Sequence, residues 1–442
     1  MMRVDEIVKI TNAKVLLGKD LNQEISVFST DTRNINSGDF YLPLKGANFD
    51  GENFIDKAIE NGAIGYFTTS DKIIESAKFA LKVEDTKTAY LQLANYRRKQ
   101  INPKVVMITG SSGKTTTKEL VYSVVSQKYN TVKTSANHNN EIGFCQTVFS
   151  IDKDTEVLII EAGMRGLGEI ELISKYAEPD ISIISNVGTA HIGRLGSEEN
   201  IAKAKCEITT FQNPDGVLIS HNNPLIKNTV KYSGRKTYYS ISDVEIIKKE
   251  IGCSEFIYKN NSYKLNIEGD YNIENSISAI ETGLELNIST ELIKKGLDEY
   301  KSIEKRWETE TIGKFEIIND SYNANPESMK ATLNTIIDLY PNAIIVLGNM
   351  GELGENEVLY HKEVADFINT KKVSNNIILT VGELAKHISD NISVCSAKNF
   401  NSNKEVSLYI LNNFEQGGTI FLKASRSMKF EEILENLKEK IK

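Results

Sequence analysis

Residues 104–117, KVVMITGSSGKTTT, constrain the fold more than any other stretch of the chain. Residues 104–108 are a short β-branched apolar run, the pattern of a buried strand. Thr109-Gly110-Ser111-Ser112-Gly113-Lys114-Thr115-Thr116 follows, and 118–125 read as a helix. Strand, glycine loop, Lys-Thr and helix together make a phosphate cradle. The two glycines let backbone N–H groups face an anion, and the helix N-terminus adds a partial positive charge. Lys114 can reach terminal phosphates, and the Thr115 hydroxyl can bind Mg²⁺. The spacing is GxxGKT, two residues shorter than the usual GxxxxGKT.

A chain of 442 residues has room for two to four domains. Its net charge of −8 argues against a nucleic-acid coat or a binder of anionic membranes. No apolar run approaches the ~20 residues of a membrane span. The N-terminus, MMRVDEIVKI, lacks the apolar core of a signal peptide. Cys145, Cys206, Cys253 and Cys395 have no paired spacing and read as reduced thiols of a cytoplasmic protein.

Residues 1–84 read as one unit. Ser29-Thr30-Asp31-Thr32-Arg33 precedes a strand at 39–44, and the loop 45–51, with Lys45, Gly46 and Asp50, leads into a helix at 53–61. Strands at 63–68 and 79–83 complete it. The two loops flank short strands as a binding edge would, or are surface turns. A helix at 86–101 hands over to a second unit with strands at 104–108, 156–160, 181–185 and 216–220. Helical patterns between them predict a mostly parallel sheet. Alternating residues across 230–267 predict short antiparallel strands at its edge, followed by helices at 272–284 and 290–300. From about Lys305 the strand–helix rhythm restarts, with strands at 315–318, 343–347, 376–381 and 418–422.

In open α/β sheets, ligands lie beyond the C-terminal ends of the strands. There the strands deliver Thr115, Glu161 and the run Asn186, Gly188, Thr189, His191 to one edge. Hydroxyl, carboxylate and imidazole suit divalent metals that also hold phosphate; a helix-start carboxylate and a polar loop histidine are the plainer alternatives. In the helix after Gly196, the apolar stripe is Ile201, Ala204 and Ile208. Lys205 lies about 40° from Ile201, beside the stripe, and Lys203 lies on the solvent side. Lys205 either snorkels or points inward, where a neutral amine could take up CO₂ as a carbamate and supply oxygen ligands to a metal. Asn272 and Asn275, at i and i+3, share a helix face and either bind a base edge or cap the helix. Two further polar clusters stand out: Lys305-Arg306-Trp307-Glu308, and the loop from Asp320 through Asn323 to Asn325.

TGSSGKTT, the EAG after the second core strand and NVGTAH after the third resemble the Mur ligases and their folylpolyglutamate synthetase relatives, in which the short GxxGKT loop is typical. STDTR with DGENF, NHNNEIG at 137–143, DSYNANPESM, LGNMGELGENEVLYH and KASRSMKFEEI extend the resemblance over essentially the whole chain. Within the family they are similar to the member that joins D-alanyl-D-alanine to a UDP-N-acetylmuramoyl-tripeptide in peptidoglycan synthesis. The chain departs from the pattern at Tyr271 (His in GxHN), Asn349 (Asp in LGDM), Ala424 (Gly in KGSRSM) and Cys145, where proline is frequent. The phosphate and metal positions are intact.

The resemblance implies an α/β protein of three domains: a small UDP-binding domain at 1–84, a central P-loop parallel-sheet ATP-binding domain at 85–304, and a C-terminal Rossmann-like ligase domain at 305–442. It implies ATP and two Mg²⁺ ions as cofactors, and a monomer with no nucleic-acid partner and no membrane insertion. Lys114, Glu161, His191 and Lys205 would be catalytic, with Thr115, Glu161, His191 and a carbamylated Lys205 on the metals. Gly110, Ser111, Ser112, Gly113, Lys114, Thr115, Thr116, Asn272, Asn275, Arg306 and Asp320 would hold the nucleotide. Ser29, Thr30, Asp31, Thr32, Arg33, Lys45, Gly46, Asp50, Asn137, Asn139, Asn140, Asn323 and Asn325 would contact substrate, with Lys423 and Ser425 as further candidates. Another ligase of the family, adding the third peptide residue or polyglutamylating folate, is the nearest alternative. Folate enzymes lack a separate UDP-binding first domain, so residues 1–84 count against that one. A P-loop ATP switch without ligation would leave Glu161, His191 and Lys205 without a purpose.

Overall fold

The computed structural model describes every residue except Ala47, Ala136, Asn137, Glu304, Ser374 and Lys442. Its centre is a six-stranded, all-parallel sheet in the order Thr131–Lys133, Val157–Glu161, Lys104–Thr109, Ile181–Ile184, Val217–His221, Arg235–Tyr239. Strand Lys104–Thr109 sits inside it, buried on both faces from Val105 onward, which is what a continuous β-branched apolar run requires. The edge differs from the antiparallel arrangement predicted for 230–267. Helix Pro224–Thr229 crosses over the sheet and returns Arg235–Tyr239 parallel to its neighbour. The strands Glu245–Glu250, Cys253–Tyr258 and Asn261–Leu265 instead form a separate antiparallel sheet.

The N-terminal unit is a five-stranded sheet in the order Lys14–Leu17, Phe79–Lys82, Gly65–Thr68, Phe40–Tyr41, Phe28–Ser29. Its strands at 14–17 and 28–29, four and two residues long, are too short to read from sequence. Helix Thr86–Ile101 falls where its pattern predicts: Asp85 accepts the Thr88 N–H at 2.6 Å, and left-handed Asn102 ends it before Pro103. The C-terminal unit is a second six-stranded sheet, Glu308–Ile312, Phe315–Asn319, Gly418–Lys423, Ile344–Gly348, Ile377–Val381, Ala397–Phe400, parallel except for its first strand.

The central sheet is the shared wall. One face, with Val106 and Ile108, belongs to an apolar cluster that runs through helices Lys114–Val125 and Asp270–Glu285 into Leu333 and Ile345 of the C-terminal unit. The other face, with Val105 and Met107, joins Phe28, Phe40 and Phe67 of the N-terminal unit. The C-terminal ends of the central strands thereby open toward the loops of the C-terminal sheet.

Helix Lys114–Val125, which carries the phosphate loop, rests on helix Thr290–Asp298 at Gly296. A Cβ there would lie 2.6 Å from Ser123 O and from Val124 Cα. Gly296→Ala should therefore separate two packed backbones and cost about 1–3 kcal/mol. Thermal unfolding measures this; an unchanged midpoint would show that the helices can part freely.

Candidate active site

The phosphate loop folds as its glycines demand. Gly113 takes a left-handed φ of 75° and starts the helix at Lys114, four residues before the expected start at Lys118. A Cβ on Gly113 would lie 2.6 Å from Asn275 Oδ1, and one on Gly110 would lie 1.9 Å from Ser185 Oγ. Ser111 N–H and Ser112 N–H donate to Asn186 Oδ1, each at 2.9 Å. Lys114 Nζ donates to Gly110 O at 2.7 Å, the length of a lysine folded back over its own loop. Burial lowers its pKa to about 8, with Arg306 adding to the shift and Glu161 opposing it.

Behind the loop, Glu161 is 2% exposed. Its Oε1 accepts from Thr115 Oγ1 at 3.2 Å and from Asn139 Nδ2 at 3.1 Å. Among the described residues its Oε2 has no hydrogen bond, and it faces Lys118 Nζ at 3.5 Å. Lys118 is itself buried; it donates to Thr134 O at 2.9 Å and pairs with Glu119 at 3.3 Å. No motif marks Lys118 as a site residue, although it stands one turn after Lys114. Removing one member of such a buried pair typically costs about 3–5 kcal/mol. A buried carboxylate oxygen beside a hydroxyl, at the edge of a phosphate loop, is an oxygen donor set that fits Mg²⁺.

His191 has left-handed backbone (φ 67°), and its Nδ1 contacts the Glu352 carboxylate from the C-terminal unit. Burial pulls its pKa down, and Lys114 and Lys205 pull it further against Glu352. Glu352 also lies 3.5 Å from Arg194. Lys205 resolves toward the inward alternative. It is 1% exposed while Lys203 is exposed, and burial drives its ammonium well below the ordinary range. Among the described residues its amine makes no hydrogen bond or ion pair. An imidazole and a neutral amine alone are a sparse set for Mg²⁺, and carboxylation of that amine would add the missing oxygens.

A cleft of about 860 Å³ joins Lys114, Thr115, Glu161 and His191 to the C-terminal unit; Lys205 is not in its wall. Its wall includes Thr116, Asn272, Asn275, Arg306, Asp320, Asn323 and Asn325. Several of these side chains already have partners. Asn272 Nδ2 donates to Glu268 O at 2.7 Å, and Asn275 Oδ1 accepts from Thr117 Oγ1 at 3.3 Å; neither caps the helix start. The Arg306 guanidinium lies 4.1 Å over the Tyr322 ring. Asp320 pairs with buried Lys423, which also reaches Asn323 O at 3.4 Å. Asn325 Oδ1 caps helix Pro326–Leu339 through Ser328 N–H at 2.8 Å, and its Nδ2 donates to Ser111 O at 3.4 Å. Tyr271, where the family pattern has histidine, packs edge-on to Trp307 in the same wall.

Asn140 lines the cleft and caps helix Glu141–Phe149 through Gly143 N–H at 2.9 Å. Asn137 lies outside the described residues. Ser425, bonded to Ser427 Oγ at 3.1 Å, is not in the cleft wall. The N-terminal loops are also separate from that wall. Ser29 Oγ donates to Asp31 O at 3.1 Å, next to Thr30; Asn61 Nδ2 donates to Thr32 O at 2.8 Å. Arg33 clasps Asp31 and holds its carboxyl down at about 2. Lys45 and Asp50 pair at 3.3 Å across a hairpin that includes Gly46. Glu327 is a further contact residue that the strand-end rule does not single out. It accepts from Thr189 N–H and Oγ–H, both at 3.0 Å, and so ties the NVGTAH loop to the C-terminal unit. Its only sequence signal is its place in DSYNANPESM.

A phosphate loop backed by a buried carboxylate, with a second α/β unit closing one cleft over both, defines a nucleotide-using enzyme assembled from more than one domain. The chain belongs to the Mur ligase family. Three family models match it: "Mur ligase family, catalytic domain" at 24–103, "Mur ligase middle domain" at 108–283, and "Mur ligase, glutamate ligase domain" at 305–426. It is 35% identical to the UDP-N-acetylmuramoyl-tripeptide–D-alanyl-D-alanine ligase of Bacillus subtilis, covering 93% of both chains. It is 31% identical to the ligase of the same name from Synechocystis, covering 95% of this chain and 93% of that one. The crystal structure of MurF from Acinetobacter baumannii superposes with a TM-score of 0.90 at 28% identity, over 99% of this chain and 98% of that one.

The loop that carries Glu352 hangs on a neutral histidine. His361 Nε2 accepts the Met350 N–H at 3.0 Å, and Nδ1 shares a 2.6 Å contact with Glu357 O. Burial holds its pKa below the ordinary 6.5. Above 6.5 its contribution to stability is therefore present in full. As pH falls, the unfolded chain takes up a proton that the folded one refuses, and the contribution is lost as pH drops toward and through the folded value. His361→Gln should flatten the decline of stability between about pH 7 and pH 5, measured by denaturant unfolding at each pH. An unaltered slope would rule His361 out as its source.

Proposed function

We propose that the chain is an ATP-dependent amide ligase that joins D-alanyl-D-alanine to UDP-N-acetylmuramoyl-tripeptide and releases ADP and phosphate. The observation that carries this reading is the near full-length match to ligases of that name, on a chain whose Glu161 and Lys114 meet in one cleft. ATP phosphorylates the terminal carboxylate of the tripeptide. The dipeptide amine then attacks the acyl phosphate, and phosphate leaves through a tetrahedral intermediate. Lys114 and the N–H groups at the start of helix Lys114–Val125 hold the transferring phosphates and stabilise the charge that develops on them. Thr115 and Glu161 would hold one Mg²⁺, and His191 with a carbamylated Lys205 the other; the ions would neutralise phosphate charge. Arg306 and Asp320 would meet the nucleotide from the C-terminal side, alongside Asn272 and Asn275.

The domain roles follow. Residues 1–84 would hold the UDP end through the loops at 29–33 and 45–51, residues 85–304 the ATP, and residues 305–442 the dipeptide. Closure about junctions near 84 and 305 would bring the two reacting groups together. The enzyme would work in the cytoplasm as a monomer. Supplied with UDP-N-acetylmuramoyl-tripeptide and ATP, purified protein should consume D-alanyl-D-alanine stoichiometrically with phosphate release. Preference for a free diamino acid or for glutamate as the amine would reject the reading.

Carbamylation of Lys205 takes one CO₂ onto the neutral amine and releases a proton. Lys205→Ala should be nearly inactive and regain activity with millimolar small carboxylates such as formate. Normal activity without additives would show that the carbamate is not needed.

A further inference from the structure

The shortened loop raises a physical problem. A GxxxxGKT loop has four residues between its glycines with which to wrap an anion, and this one has only Ser111 and Ser112. Both serines turn their N–H groups sideways, onto Oδ1 of Asn186 at 2.9 Å. The same carboxamide donates through Nδ2 to Ser112 Oγ at 2.6 Å, and Asn186 O accepts Ser111 N–H at 3.1 Å. Ser185 Oγ donates to Ser112 O at 2.7 Å, so consecutive residues after strand Ile181–Ile184 grip both the N–H and C=O groups of the loop. The N–H groups of Gly113, Lys114 and Thr115, at the start of the helix, make no hydrogen bond among the described residues. They remain available to an anion.

We propose that Asn186 is a positioning residue that stands in for the two missing loop residues. Its carboxamide braces Ser111 and Ser112 from the neighbouring strand and so fixes the orientation in which the 113–115 N–H groups meet the outer phosphates of a nucleotide. This rests on the nucleotide reading of the cleft. The opposite role has the opposite sign: a carboxamide oxygen that merely fills the place of a phosphate oxygen would compete with the ligand.

Asn186→Ala separates the two. If Asn186 is a brace, ADP binding measured by calorimetry weakens on the order of tenfold, for the loss of three hydrogen bonds around the loop. AMP, which lacks the outer phosphate, changes by less than about twofold in competition, because none of those bonds orients groups toward it. The thermal midpoint without ligand stays within a few degrees. Tighter ADP binding in the variant would overturn the proposal in favour of a place-holder, and unchanged ADP binding, or an equal loss for AMP, would overturn it outright. Ser112→Ala removes only the 2.6 Å contact and serves if the first variant fails to fold; about threefold weaker ADP binding is expected, and no change would count against the brace. Wild-type protein that binds no ADP would instead reject the nucleotide reading itself.

Discussion

A carboxylate out of water needs a counter-charge or a metal, and the centre of this molecule is organised around that need. Glu161 ends its strand in a nearly sealed position, where it is held by the Thr115 hydroxyl, the Asn139 amide and the Lys118 ammonium. Two partners, Thr115 and Lys118, come from the start of helix Lys114–Val125, and the third, Asn139, from the loop before helix Glu141–Phe149. The loop, the helix and the strand end therefore cannot be moved independently. Glu161 Oε1 meets the Thr115 hydroxyl at the edge of the phosphate loop, and Oε2 is turned toward Lys118.

The second constraint is that the cleft belongs to two units at once. Thr189–Glu327, His191–Glu352 and Ser111–Asn325 all cross between the central and C-terminal sheets, and all three start from loops that also carry the chemistry. The loops that line the cleft are thus also the loops that join the two units. His361 extends that coupling inward, because it fixes the backbone from which Glu352 reaches out.

Legibility in the sequence followed the range of the interactions. Helix Thr86–Ile101 and the apolar strands of the central and C-terminal sheets were readable because their signals are local: periodicity, caps and β-branched runs. Lys205 was half readable. Helix geometry put it beside the apolar stripe, but only the packed structure decides that it is buried and not snorkelling. Strand Arg235–Tyr239 misled because its alternating pattern suits either direction of pairing, and the crossover helix that sets the direction is only six residues long. The contacts of Lys118 with Glu161, of Glu327 and of Glu352 have no local signal, since those partners lie on another strand or in the other unit.

The sequence by itself determined the family and the strand–helix rhythm of the central and C-terminal sheets, because motifs and apolar runs are written in adjacent positions. Tertiary structure alone decided which side chains are spoken for. Asn140 and Asn325 cap helices, and Asn275 takes the Thr117 hydroxyl. Asn186, which the sequence placed only at a strand end, holds the two serines of the shortened loop. The reason is physical: a polar side chain has few hydrogen-bonding positions, and which of them remain for a ligand depends on neighbours that only the fold supplies.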